Sequence, residues 1–343
     1  LASLVLMTSM NSCEEWLDVN TSPDSPTTVT CDAVLPSVLF YATQNVYDCA
    51  EYGIYIAQSL TTTGKASSSS YPYKNGWGGW LTANRHPQWR RCYIDVGVNS
   101  TYLIEDAEKK NARNYILIAK TLRLHSLLLT TDIFGDIPVR ETFAYAESVE
   151  DRTGSPRYDH QSYVYEYIQS ELEELIKLYD DPEWINCPTN LLINQKMDRI
   201  YGGDMKKWET FCKGLKARLL LRKLPNWENT PAVCQEIIRV VDDALATWEE
   251  PRYYYPGGVT ESNCPWGPYA PKINSWESRD NRLASSIPTT FFLHGILGGI
   301  DGRYVANRGY ALDPRANKIM EQRSSEKGPM LHLESNIGMD ISL

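Results

Sequence analysis

The stretch Tyr71-Pro72-Tyr73-Lys74-Asn75-Gly76-Trp77-Gly78-Gly79-Trp80 sets four aromatic rings and two polar side chains among three glycines. Tyrosine and tryptophan have an apolar face and a polar edge, so they suit surfaces that are half wet. A sugar needs that combination: an aromatic plane for the apolar face of a pyranose ring, with amide, ammonium or carboxylate groups for its hydroxyls. Tyr73, Asn75, Trp77 and Trp80 are therefore candidate ligand contacts. A second group of similar composition runs from Tyr253-Tyr254-Tyr255 through Trp266, Tyr269 and Trp276, and Tyr255, Trp266 and Tyr269 are its candidates. The competing reading has Trp77 and Trp80 plugging their loop onto a scaffold. Composition leans toward such surfaces, with 22 Tyr and 10 Trp against 6 Phe.

A different chemistry belongs to Cys13. Leu1 to Met10 (LASLVLMTSM) is uncharged and apolar, then Asn11-Ser12 leads into Cys13 and the acidic Glu14-Glu15-Trp16-Leu17-Asp18. An apolar leader ending at a small residue and cysteine is the form of a bacterial lipoprotein precursor, in which the thiol takes a diacylglycerol and the leader is removed. Such a segment is a processing signal and no part of the fold. The expected layout is a partial signal peptide over 1–12, a lipidated tether over 13–32 and a helical domain over 33–343. A buried first strand is the alternative for the leader.

Other chemistries find no pattern. The remaining seven cysteines (Cys31, Cys49, Cys92, Cys187, Cys212, Cys234 and Cys264) are widely spaced, with no zinc-site spacing, and cannot all pair within one molecule. His86, His125, His160, His294 and His332 form no recognisable metal or triad set, and His125 reads as a core group. No G-x-S-x-G, H-E-x-x-H or phosphate-loop spacing occurs. A glycosidase needs two carboxylates about 5 to 9.5 Å apart, and nothing singles out such a pair among 43 acidic residues. The net charge of −9 argues against nucleic acid. No cofactor, metal or enzymatic activity is expected.

These loops need rigid elements beneath them. Residues 33–60 read as a helix, 61–90 as loop-rich, and 111–131 as a helix apolar on most faces and so deeply buried. Val164, Ile168, Leu172, Leu175 and Tyr179 recur at helical steps, as do Trp208, Phe211, Cys212, Leu215 and Leu219, with Asp204 placed to cap the second helix. A further helix is expected through Val233, Ile237, Val241, Ala244, Leu245 and Trp248. Residues 250–310 return to loop. The Asp132-Ile133-Phe134-Gly135-Asp136 segment reads as a turn whose carboxylates satisfy turn amides, and Tyr201-Gly202-Gly203-Asp204 as a turn and helix cap. Paired helices with short connections predict a mostly α, helical-repeat architecture.

Four segments in order resemble the SusD/RagB family, in particular its second SusD-like branch. They are Cys13 with Trp16-Leu17-Asp18-Val19-Asn20, then Leu129-Thr130-Thr131-Asp132-Ile133-Phe134-Gly135-Asp136-Ile137-Pro138-Val139. Tyr158-Asp159-His160-Gln161-Ser162-Tyr163-Val164-Tyr165 follows, and Asp198 through Asp204 continues to Trp208, Leu215, Arg218, Leu219 and Arg222. Lys213-Gly214 stands where the family pattern has Asn-Ser. The family's C-terminal helix pattern has no counterpart before Leu343, so the C-terminal part of the domain is expected to be missing. The resemblance implies tetratricopeptide-like helix pairs with long binding loops. It implies a non-enzymatic lipoprotein on the outer membrane that captures oligosaccharides for a SusC-like TonB-dependent transporter. A helical-repeat protein binding peptides or a protein partner is the alternative; a secreted carbohydrate-active enzyme is a third and weaker reading.

Overall fold

A helix that is apolar on nearly every face has to be surrounded by other elements, and α4 (Arg113–Phe134) is. Leu117, Ile118, Leu122, Leu127 and Leu128 on it are almost completely enclosed. Each contributes about 1.5 to 3 kcal/mol by leaving water. Its buried hydroxyls are bonded locally: Thr121 donates to the Leu117 carbonyl at 2.8 Å and lies 3.1 Å from the Tyr179 hydroxyl. Helix α4 ends at Gly135, whose φ of +76° is a conformation that favours glycine.

The structure is a computed structural model, and it describes residues 30–57, 59–62, 87–142, 156–185, 193, 196–224, 231–255 and 286–288. Cys13, the leader, the tether before residue 30, and Tyr73, Asn75, Trp77, Trp80, Trp266 and Tyr269 lie outside the described residues.

Before α4 come α1 (Cys31–Ile56), the strand β1 (Leu60–Thr62), a short α2 (Pro87–Arg90) and α3 (Asn99–Lys109); after it come α5 (Gln161–Tyr179), a short α6 (Pro182–Ile185), α7 (Met205–Lys223), α8 (Pro231–Leu245) and the strand β2 (Ser286–Pro288). Successive long helices pack on one another, α3 on α4, α4 on α5, α5 on α7 and α7 on α8, with α1 lying across α3 and α4. The architecture is mostly α, as the sequence pattern predicts. No helix among the described residues is long and apolar enough to cross a membrane.

Residues 87–109 differ from expectation. Proline at the first helical position starts α2 inside a stretch read as loop. The chain then winds as a π-helix over Arg91–Val98 before continuing as α3. Wider turns move the side chains off the 3.6-residue period. Ile94, Val98 and Tyr102, spaced like a core stripe, are all exposed, while Cys92, Val96, Leu103 and Ala107 are buried.

The stripes on α5 and α7 are those the sequence predicts, and every residue named on them is buried. Asp204 caps α7, accepting from the backbone N–H groups of Lys206 and Lys207 at 3.0 and 3.3 Å. Helix α8 departs from prediction: Ile237, Val240 and Ala244 face inward, Leu245 is exposed, and Trp248 lies beyond the helix end. The Trp248 ring rests against α7 at Gly214, where an added Cβ would sit 2.6 Å from its Cζ3. Beside it, Lys213 bridges α7 to α8 through Glu209 at 2.6 Å and Asp243 at 3.0 Å. The Lys213-Gly214 departure from the family pattern thus has a local reason, because these two residues dock α8 and the segment after it.

Among the described cysteines, Cys31, Cys49, Cys92 and Cys212 are free thiols. Burial pushes the thiols of Cys92 and Cys212 up to about 12, so both are inert at neutral pH.

Candidate ligand-binding surface

Three loop motifs form the groundwork of the site, and they hold one another. The Asp132 carboxylate, at the end of α4, accepts from the Tyr165 hydroxyl at 3.0 Å and from Arg222 Nε at 3.1 Å, with Arg218 at 3.5 Å. It therefore links α4, α5 and α7, and does not satisfy turn amides as expected from the sequence. Asp136 does cap, accepting from the Gln161 N–H at 2.9 Å, and the Gln161 amide donates to the Thr131 carbonyl at 2.7 Å. Ile137 and Asp159 form an antiparallel bridge. The Asp159 carboxylate accepts from the N–H groups of Val139 and Arg140 and from Arg140 Nε at 2.6 Å. Burial alone would raise Asp159, but those donors and the guanidinium charge outweigh it and hold the carboxyl below the usual range. His160 caps α5, its ring accepting from the Ser162 N–H. His125 is a core group against the Phe211 ring, and burial, with help from the Arg218 charge, lowers its pKa to about 4.

Above this groundwork stands an aromatic wall. The Trp89 indole lies 4.8 Å from the Tyr93 ring, meets Phe134 edge-on at 5.4 Å and stacks on Tyr158 at 5.9 Å with planes 30° apart. Tyr93 is fixed by donating to the Pro138 carbonyl at 2.9 Å. Tyr158 is 66% exposed, and the Arg140 guanidinium covers the neighbouring Tyr163 ring at 4.0 Å. Neither Trp89 nor Tyr158 is among the residues singled out from the sequence. Trp89 sits just after the aromatic-rich stretch, and Tyr158 stands inside a motif that reads as a helix entry.

The predicted contact that falls among the described residues is Tyr255. Its hydroxyl accepts from Gln44 Nε2 of α1 at 3.2 Å, and its ring meets Tyr253 edge-on at 4.8 Å, which in turn lies 6.3 Å from Phe40. Tyr255 is thus half-buried as an anchor on α1. Between these two, Tyr254 faces outward, 65% exposed.

Tyr254 borders an open cleft of about 970 Å³ whose floor is the Asp198–Asp204 turn. Asp198 organises that turn: its carboxylate accepts from the N–H groups of Ile200, Tyr201 and Gly203 and from the Trp208 indole at 2.9 Å. Gly202 and Gly203 have φ of +65° and +83°, and a Cβ on Gly203 would press to 3.1 Å from the Ile193 carbonyl oxygen. The turn is committed internally, so its amides are not available to a phosphate.

The strands bear on the site through their register. Leu60, Thr61 and Thr62 pair antiparallel with Pro288, Ile287 and Ser286. In the sequence, Thr62 precedes the Tyr71–Trp80 stretch and Ser286 follows the Trp266–Trp276 stretch, so the paired strands adjoin in sequence both chain segments that carry the aromatics. No cluster of three or more His, Cys, Asp or Glu side chains that could hold a metal occurs among the described residues.

The sequence model of a family described as starch-binding, associating with the outer membrane, matches residues 27–254. The chain belongs to the SusD-like family. Two solved structures agree on the fold. An outer membrane protein of Bacteroides vulgatus, named for nutrient binding, superposes with a TM-score of 0.54 at 20% identity, over 84% of this chain and 52% of that one. A SusD homolog of Bacteroides fragilis gives 0.50 at 16% identity, over 83% and 56%. A SusD/RagB family protein of Bacteroides thetaiotaomicron gives 0.44 at 20% identity, over 63% and 43%. This SusD-like chain spans about half the length of the structures it matches. No curated protein matches it. The SusD-like signature residues Asp132, Asp136, Asp159, Gln161, Asp198, Trp208 and Arg222 are all engaged with one another or with the backbone, so the signature marks the scaffold.

Proposed function

We propose that this chain captures oligosaccharides at the surface of the outer membrane, anchored through lipid on Cys13, and passes them to a SusC-like TonB-dependent transporter without breaking a bond. Beyond family membership, the observation that carries this reading is the β1–β2 pairing. The paired strands adjoin, in sequence, both the segment that carries Tyr73, Asn75, Trp77 and Trp80 and the segment that carries Trp266 and Tyr269. Tyrosine and tryptophan side chains in segments joined to a rigid scaffold suit the capture of a flat, hydroxylated ligand. The exposed Tyr158 ring, backed by Trp89, offers one more stacking face.

The test is a tryptophan-fluorescence titration of the chain with neutral and acidic oligosaccharides and a peptide mixture. Saturable binding of one glycan class without turnover is the expected result. The double replacement Trp77→Ala, Trp80→Ala is expected to weaken it at least tenfold. Binding of peptides alone would replace this reading with the peptide-binding one, and products released from the glycan would make the chain an enzyme.

A further inference from the structure

We infer that the cleft between the Asp198–Asp204 turn and the Glu249–Tyr254 segment is an additional saccharide site, suited to a neutral sugar. It rests on the capture reading and adds a place and a ligand class to it.

Three observations carry it. The first is the placement of Tyr254. Its N–H donates to the Arg199 carbonyl at 2.9 Å, and Arg199 donates back to the Tyr254 carbonyl at 3.3 Å. Its neighbours Tyr253 and Tyr255 turn the other way, onto α1. With the two outer tyrosines turned onto α1, the middle ring is the one presented to solvent. An exposed ring on a backbone held this way loses little freedom when a ligand stacks on it.

The second observation is the polar pair facing the cleft. Lys207 Nζ lies 2.7 Å from the Glu249 carboxylate, and both side chains remain partly exposed. Glu249 is set in place by its own carbonyl, which accepts from the Tyr201 hydroxyl at 2.9 Å. A carboxylate and an ammonium side by side offer an acceptor and a donor at the spacing of adjacent sugar hydroxyls. Arg199 uses one guanidinium N–H on Tyr254, and a guanidinium has further donors for the ligand.

The third is charge. Lys196, Arg199 and Lys207 line the cleft against Asp198, Asp204 and Glu249, so it carries no net charge. The turn amides that might have held an anion are occupied by Asp198 and Asp204. A uronate or sulfated sugar would gain nothing here over a neutral one, and on a chain of net charge −9 it would be repelled at long range.

The experiment is calorimetric titration of the full chain with maltoheptaose, cellohexaose, N-acetylchitohexaose and oligogalacturonate, in wild type, Tyr254→Ala, Tyr254→Phe, Glu249→Gln and Trp77→Ala/Trp80→Ala, and in the double-Trp variant carrying each Tyr254 or Glu249 substitution. Hydrogen exchange is followed at residues 199–204 and 249–254. With whichever neutral glycan binds, Tyr254→Ala is expected to lower affinity at the residual site of the double-Trp variant about tenfold. Tyr254→Phe, which keeps the ring, should leave it within twofold; Glu249→Gln should weaken it, and ligand should slow exchange across both segments. Tyr254 is exposed, so a wild-type melting temperature in Tyr254→Ala separates loss of contact from loss of fold. If a neutral glycan binds wild type but Tyr254→Ala binds it equally and exchange at the cleft is unmoved, the additional site is wrong and capture stands. Preference of the cleft for oligogalacturonate overturns the assignment to neutral sugars. If no glycan binds wild type, the capture reading fails and takes this site with it.

Discussion

His125 shows how a single buried residue writes itself into the pH response. The unfolded chain binds its proton near pH 6.5, whereas in the fold burial lowers the pKa to about 4. The folded state therefore prefers neutral imidazole: stability is full above pH 6.5 and falls as the unfolded state takes up a proton the folded state refuses. Between pH 6.5 and 4 that loss amounts to roughly 3 kcal/mol. His125→Gln is expected to flatten the stability curve across this window, as measured by urea unfolding at half-unit intervals. A variant with the wild-type slope would mean that His125 is not the group responsible. Asp159 works in the same direction but lower on the scale, since its depressed pKa keeps its contribution intact until pH falls through the carboxylate range.

The relevant comparison among elements is how firmly each helix is tied to the next. Asp132 joins α4, α5 and α7 from a position only 12% exposed, whereas its partner Arg222 is 51% exposed. Asp132→Ala strands the buried Tyr165 hydroxyl and is expected to cost about 2 to 3 kcal/mol. Arg222→Ala removes one exposed partner and should cost under about 1 kcal/mol. Chemical unfolding of both variants tests the ordering, and equal losses would show that the carboxylate is not the hub. At Gly214 two effects oppose: alanine gains about 1 kcal/mol of helix propensity but displaces the outer edge of the Trp248 ring. Because that edge belongs to a ring 38% exposed, we expect Gly214→Ala to change stability by under about 1 kcal/mol while raising the acrylamide accessibility of Trp248. How legible each element was follows from its period. Val164 to Tyr179 and Trp208 to Leu219 were legible because one apolar stripe at 3.6 residues decides which face is buried. Residues 87–109 were not, because the π-helical turn moves Ile94, Val98 and Tyr102 to the surface despite their helical spacing. Trp89 and Tyr158 meet only through tertiary packing between α2 and the segment before α5, which no local pattern encodes.

For the whole molecule, the signature residues that mark the family belong to its scaffold: Asp132, Asp159 and Asp198 are consumed in holding loops and helices together. The proposed lipid attachment is tested on the whole chain. Cys13→Ser is expected to move the protein from the membrane fraction to the soluble one in cells and to abolish incorporation of a labelled fatty acid; membrane recovery unchanged from wild type would rule out lipid on Cys13. The pairing of Leu60 with Pro288 also has a consequence for the order of assembly. Each long helix packs on a neighbour in sequence and can settle as soon as that neighbour is made, but β1 has no partner until β2 has been synthesised. Closing so large a loop is entropically costly and is favoured only once the helices have shortened the span. Among the described elements the β1–β2 ribbon is therefore expected to pair after the long helices have packed, so the helical scaffold is complete before its two distant strands meet.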